Sequence, residues 1–341
     1  MDFDKTLNDW YLRHKRELPW RDTDNPYFIW LSEIILQQTR VAQGLPYYLQ
    51  FINVFPTVFD LASADEQQVL KLWQGLGYYS RARNLHKTAK YVAFELNGIF
   101  PDTYTSLLKL NGVGAYTAAA IASFSYGEPV AVVDGNVFRV LARYFDIETD
   151  IASPAARKEF TELAHELMPK NHPAMFNQAI MEFGAMQCVP KSPDCGVCPL
   201  QSGCLALKYG RVGQLPVKSK KAKPKNRYFH YLVLADELEN TAIVKRTAKG
   251  IWHNLYEFPL IESENLPEPE VFKALVPENE ILSVAELHSN AVSHKLTHQN
   301  LHIRFHKVTV GGTLNSGITA EELHGFPFPI VLFNFIEKHW N

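Results

Sequence analysis

Cysteine is absent from this chain except between positions 188 and 204, where all four of its cysteines stand. Disulfide scaffolds spread their cysteines, so the pattern excludes a disulfide-stapled secreted fold and points to a metal. Long apolar runs are missing too. None approaches the length of a membrane span, and the opening MDFDKTLNDW is charged where a signal peptide would be apolar. A cytosolic monomer with no membrane association is the expectation. An excess of charge of one sign is also missing, with a formal net charge of −2 over 341 residues. That figure hides an asymmetry: residues 1–227 hold 26 Lys and Arg against 22 Asp and Glu, and residues 228–341 hold 8 against 14. A polyanion would prefer the first part.

Up to residue 205 the apolar pattern is mostly helical. Helices are expected over 5–18, over 27–43 with Trp30, Leu31, Ile34, Ile35 and Val41 on one face, and from a Ser63/Glu66 capping box through Trp73. Thr103–Leu110, the turn 111–114 and Ala115–Phe124 read as helix, turn, helix, followed by helices over 135–145, 154–168 and 173–187. Val130–Val133 is the one short strand run in this part. Residues 208–227 hold eight basic residues, two prolines and no acidic residue, the composition of a linker. Beyond it, alternating runs at 228–235, 241–245 and 301–310 indicate a second, α+β domain.

Four features carry chemistry. Cys188, Cys195, Cys198 and Cys204, spaced C-x6-C-x2-C-x5-C, suit either a [4Fe–4S] cluster or a tetrahedral zinc. Gly112 and Gly114 flank Val113 just before a helix start, where backbone N–H groups and the helix dipole favour a phosphate. Asp134 is placed to cap the helix beginning at 135, and the bonds of a cap would hold it ionised. Glu33 sits among apolar neighbours, Trp30 and Leu36 at three residues either side, an environment that raises a carboxyl pKa toward that of a general acid.

Together SEIILQQTRV around Glu33, GLGYYSRARNL at 75–85, LNGVGAYTAAAI at 110–121, VVDGNVFRV around Asp134 and the cysteine array resemble, in this order, the adenine DNA glycosylases, the MutY family. The resemblance covers residues 1–225 and implies a helix-hairpin-helix glycosylase fold. A six-helix barrel would occupy 23–129, an iron–sulfur lobe 1–22 with 130–207, and a Nudix-like module 228–341. It implies a [4Fe–4S] cluster in place of zinc, a nucleoid-associated protein, and duplex DNA with adenine opposite 8-oxoguanine or guanine as the partner. By that resemblance Glu33 protonates the adenine and Asp134 stabilises an oxocarbenium-like sugar, with Asn136 and Tyr116 orienting the sugar and the nucleophile. Trp20, Arg21 and Glu182 would shape the adenine pocket, and Gln37, Gln38, Tyr78, Gly112 and Gly114 would contact DNA. The related endonuclease III type carries a Schiff-base lysine where Tyr116 stands, and a phenol cannot form an imine, so a glycosylase without lyase chemistry is implied. In the second domain, VKRTAKGIWHNLYEFPLIE at 244–262 resembles a degenerate nucleotide-hydrolase module that lacks its metal-binding acidic helix. Ser293-His294 matches the family's loop for 8-oxoguanine, with Val292 in place of an aromatic. Asn111 stands where the family usually has proline. Two other readings fit the residues less well: a bifunctional glycosylase/lyase for oxidised pyrimidines, which Tyr116 disfavours, and a non-enzymatic cluster protein, which the Glu33/Asp134 pair disfavours.

Overall fold

The computed structural model describes residues 2–219, 223–275, 280–287 and 290–340. They form two compact units, residues 1–63 with 84–220, and 64–83 with 221–341. Lys220 and Lys221 of the basic segment, and residues 276–279, 288 and 289 of the second domain, lie outside the described residues. No helix among those described is long and apolar enough to cross a membrane.

Unit 1 is helical. Its elements are α1 (Phe3–His14), α2 (Pro26–Ile35), α3 (Val41–Val54) and α4 (Val58–Ser63), and then, after a stretch that belongs to unit 2, the end of α6. The stretch contains α5 (Glu66–Leu72) and the start of α6 (Ser80–Lys90). Unit 1 continues with α7 (Tyr104–Leu107), α8 (Ala115–Tyr126), α9 (Gly135–Phe145), α10 (Pro154–Leu167), α11 (Pro173–Met186) and α12 (Leu205–Lys208). Leu7 and Trp10 of α1, Val137 and Leu141 of α9, Phe160 of α10 and Phe183 of α11 pack into one buried core.

Several boundaries differ from the periodicity, each for a local reason. The expected helix 27–43 is two helices, because the chain turns through Leu36–Arg40 with Gln38 at φ +56°. The first helix ends at His14, since Lys15 turns extended at ψ 140°. Ser63 is not a capping residue: it closes α4, and α5 opens at Asp65 without a side-chain cap. Val130–Val133 is extended but pairs with no strand; Asn177 ties it instead, accepting from Val132 N at 3.0 Å and donating to Val130 O at 2.9 Å.

Unit 2 is built on β1 (Lys225–Ala235), β2 (Val244–Lys245), β3 (Tyr256–Glu257), β4 (Leu260–Glu262), α13 (Pro269–Leu275), β5 (Ile281–Glu286), β6 (Val292–Lys295), β7 (Gln299–Val310), α14 (Ala320–Leu323) and α15 (Ile330–His339). The main sheet runs β4-β1-β7-β5, with β6 also paired to β7, and its centre is the parallel β1–β7 pair in register from Lys225↔Gln299 to Ala235↔Thr309. The basic segment is therefore not a free linker along its whole length. β1 begins at Lys225, and residues before 220 are bonded to unit 1, with Ile151 N donating to Val217 O at 3.0 Å. α13 carries one acidic residue, Glu270.

The stretch 64–83 is joined to the C-terminal part by specific bonds. Asn254 donates to Glu66 at 2.6 Å, Arg83 to His253 O at 2.7 Å, Lys71 to Phe326 O at 3.2 Å and Phe328 N to Gln74 at 3.0 Å. A chain cut after residue 224 removes these four bonds. It should show new protease cleavage within 64–83 and a melting point lower by roughly 2–4 °C per kcal/mol lost. An unchanged melting point and cleavage pattern would contradict this assignment of 64–83.

Candidate active site and metal centre

In unit 1 a cavity of about 190 Å³ gathers Glu33 from α2, Tyr116 from α8, Asp134 and Asn136 at the start of α9, Glu182 from α11, and Trp20 and Arg21 from a 3-10 turn. All seven residues expected to act on the base and sugar line this one space. α2 is mostly apolar and buries eight of its ten residues, so Glu33 is buried with its neighbours and reaches only the cavity. Burial lifts its pKa to about 7, helped by the nearby Asp134 carboxylate, although Tyr116 hydrogen-bonds it and Arg21 lies near. The Tyr116 hydroxyl is pushed well above its usual range by burial and by both carboxyls, so it stays a phenol.

Asp134 is the N-cap of α9. Its Oδ1 accepts from Asn136 N and Val137 N, both at 2.8 Å, and its Oδ2 from Asn136 Nδ2 at 2.7 Å. The sequence suggested that this cap would depress the carboxyl pKa. Instead burial outweighs the three bonds and Arg139, and the pKa is raised. Glu182 behaves oppositely. Burial would raise it, but Arg16 and Arg21 hold it at about 2. Arg16 donates from its backbone N at 2.9 Å, from Nε at 2.8 Å and from Nη2 at 2.6 Å, and Arg21 adds Nη2 at 2.6 Å. Arg16 was missed in the sequence because a helix running to residue 18 would have aimed it at solvent. Gln178, also at this cavity, accepts from Tyr11 at 2.5 Å and was missed because nothing in its spacing marks it.

Asn136 is held from behind. Arg139 donates to Asn136 Oδ1 at 2.9 Å, Gly184 O at 2.6 Å and Cys188 O at 2.7 Å. Gly184 allows α11 this close, since a Cβ there would meet Asn136 at 2.6 Å.

The expected DNA contacts lie outside this cavity. Gln37 donates to Thr117 at 3.2 Å, and Gln38 is exposed with φ +56°. Gly112 has φ +74°, and a Cβ there would come within 2.6 Å of Asn84; buried Val113 anchors the turn, and Gly114 caps α8. The first N–H groups of α8 thus end on an exposed turn, as an anion site requires.

Tyr78, Ser293 and His294 belong to unit 2. Tyr78 (φ +48°) lines a cavity of about 470 Å³ with Trp252, His294, Leu296 and Thr297. Two candidate DNA-wedging residues, Gln38 and Tyr78, therefore adopt the left-handed backbone that non-glycine residues avoid, a strain usually kept for function. Ser293 is outside the cavity: it is exposed on β6, paired with His302. The chain repeats the apolar–hydroxyl–histidine pattern four residues on, as Leu296-Thr297-His298. This second copy forms the tip between β6 and β7, closed by Leu296 N to Gln299 O at 2.8 Å, and Thr297 hydrogen-bonds the Tyr78 hydroxyl. The repeat was the available signal for Thr297. Burial lowers the His294 pKa, so it is neutral at pH 7 beside the Trp252 ring, 5.9 Å away.

The four cysteines share one cavity with Arg143, Leu207 and Val212. Burial pushes the Cys198 thiol up to about 11, and Cys195 and Cys204 up as well, so only a cationic centre would make them thiolates.

Comparison with known proteins agrees with this geometry. Residues 31–166 match the HhH-GPD superfamily of base excision DNA repair proteins, 188–204 the iron–sulfur binding domain of endonuclease III, and 230–338 a NUDIX domain. The chain is 37% identical over 305 residues to the adenine DNA glycosylase of Buchnera aphidicola subsp. Baizongia pistaciae, covering 88% of this chain and 84% of that protein. It is 46% identical over 213 residues to the Homo sapiens adenine DNA glycosylase, covering 60% of this chain and 39% of that one. A thermostable thymine-DNA glycosylase superposes with a TM-score of 0.56 at 29% identity, over 61% of this chain and 95% of its own. The cysteines hold a [4Fe–4S] cluster.

The raised Glu33 pKa has a consequence for stability. Between its ordinary 4.5 and about 7, the folded chain binds the proton that the unfolded chain has released, so stability falls as pH rises. Glu33→Gln removes this cost. It should stabilise the protein by up to about 3 kcal/mol at pH 8 and by under about 1 kcal/mol at pH 5. Equal melting shifts at both pH values would show that Glu33 ionises freely.

Proposed function

The chain belongs to the adenine DNA glycosylase family, and from that we propose that it hydrolyses the N-glycosidic bond of a 2′-deoxyadenosine placed opposite 8-oxoguanine or guanine. The observation that carries the reading is the convergence of Glu33 and Asp134 in one cavity beside the Glu182–Arg16–Arg21 cluster. The base leaves the stack, since its bond is unreachable within the duplex. Glu182 and the arginines present an acceptor and fixed N–H donors to the purine edge, with Trp20 at the wall. Glu33, near half-protonated at neutral pH, gives its proton to the base at N7 and makes it a neutral leaving group. Asp134 faces the positive sugar that forms, and its three donors fix the carboxylate in place. Asn136 and Tyr116 orient the sugar and the incoming water. The absence of an amine at Tyr116 leaves an intact abasic strand. When bound, the cluster supplies iron–thiolate bonds that fix the loop 188–204.

Gly112, Gly114 and the start of α8 hold the phosphate backbone, Gln37 and Gln38 contact the DNA beside the flipped base, and Tyr78 is a DNA contact of unit 2. Unit 2 reads the base opposite the adenine. Thr297 at the hairpin tip takes the role first assigned to Ser293, and His294 supports it through Trp252. The protein works as a soluble monomer of the cytoplasm, on the nucleoid.

Single-turnover excision from duplexes carrying A opposite 8-oxoguanine, A opposite G, and thymine glycol tests this. Adenine release from the first two is expected, with strand breakage only after alkali. Glu33→Gln and Asp134→Asn should each keep binding and lose excision by about two orders of magnitude or more. Near-normal excision by either variant contradicts its role, and thymine glycol release contradicts the substrate. Thr297→Ala should lower the preference for 8-oxoguanine over guanine by about 1–3 kcal/mol, while Ser293→Ala should leave it unchanged. The reverse result would return the reading role to Ser293.

A further inference from the structure

The segment that leaves the cysteine loop toward unit 2 is bound down, and Arg143 is the residue that binds it to the loop. Arg143 is 2% exposed, on α9. Its Nε donates to Leu215 O at 3.0 Å, its Nη1 to Val189 O at 2.8 Å and its Nη2 to Pro190 O at 3.0 Å. The same Nη1 lies 3.4 Å from Cys188 Sγ. One buried guanidinium thus satisfies carbonyls on both the cysteine loop and the departing chain.

Residues 211–219 form a strap over the end of α9 and the loop after it. Arg211 pairs with Asp146 at 3.0 Å and Glu148 at 2.5 Å, and Val212 is one wall of the thiol cavity. Leu215 is 2% exposed, Val217 O accepts from Ile151 N at 3.0 Å, and Ser219 N donates to Asp150 at 3.2 Å. The polar and apolar anchors alternate along the strap, so it is docked along its length.

We propose that the metal centre controls this strap: with the cluster bound the strap is latched through Arg143 and Val212, and loss of the cluster releases it. If the loop 188–204 loosens, Arg143 loses the Val189 and Pro190 carbonyls and the adjacent sulfur. A buried guanidinium stripped of acceptors is costly, so it turns outward and gives up Leu215 as well. Val212 loses its wall at the same time. The latch does not rest on the function proposed above, and its test uses no DNA.

Because coupling is reciprocal, opening the strap must also weaken the hold on the cluster. Full-length holoprotein is compared with Leu215→Ser/Asp150→Ala, whose changes touch no cysteine, with Arg143→Gln, and with all three combined. Trypsin cleavage after Arg211 reports the strap. The rate at which the visible absorbance bleaches under oxidant and chelator reports the cluster. The strap variant should be cut roughly tenfold faster and should bleach several-fold faster than wild type. Arg143→Gln should be cut equally fast, and adding it to the strap variant should change cleavage by less than about twofold, as expected for residues acting as one unit. Wild-type bleaching by a strap variant that is cut faster overturns the proposal, as does wild-type protection of Arg211 in Arg143→Gln. If Arg143→Gln fails to fold, the bleaching rate of the strap variant decides alone.

Discussion

Burying an ionisable carboxyl costs several kcal/mol unless it is neutral, paired or held by donors, and unit 1 places three at one cavity. Each is accommodated differently. Glu182 is paired with two guanidinium groups and stays ionised down to about pH 2. Asp134 is raised by burial but gripped by three N–H donors of its own helix start. Glu33 has Arg21 near it, but burial outweighs that charge and holds it near half-protonation at neutral pH. Three different protonation behaviours follow from these three environments, and not from the residue types.

The helix α9 organises much of this. Its cap is Asp134, its first turn holds Asn136, and Arg139 and Arg143 follow on the side facing the cysteine loop. The metal centre therefore supports the loop that Arg139 uses to brace Asn136, although the cluster is remote from the chemistry in role. Neutralising a buried guanidinium with backbone carbonyls is an expensive way to join two loops. It makes sense where both loops must hold one position together.

Much of this was legible from residues alone. The cysteine spacing, the GVG turn and the aspartate before a helix are local patterns, and local patterns survive folding. Glu33 was legible because its neighbours at three residues either side are apolar. What stayed hidden depends on the third dimension. Arg16 meets Glu182 across more than 160 residues, and only the early end of α1 lets it do so. The direction of the Asp134 shift needs the burial that other elements impose. The positive φ of Gln38 and Tyr78 leaves no mark on composition, and it broke a helix that periodicity alone would have continued. The membership of 64–83 in unit 2 is set by bonds to residues some 170–250 positions later. Two copies of a three-residue pattern stand four residues apart, and only the pairing register of β6 with β7 shows that the second lies at the tip.

Glu33 is the proton donor of the proposed reaction, and burial has moved its pKa to about 7. The direct measurement is the pH dependence of adenine excision by wild-type enzyme, in single turnover at sub-saturating enzyme, so that the free enzyme's ionisation is read. The rate on A opposite 8-oxoguanine should hold steady in mildly acidic buffer and bend downward near pH 7. Above that it should fall about tenfold per pH unit while DNA binding at constant salt persists. A profile that stays level through pH 8.5 would contradict the assignment of Glu33 as the acid.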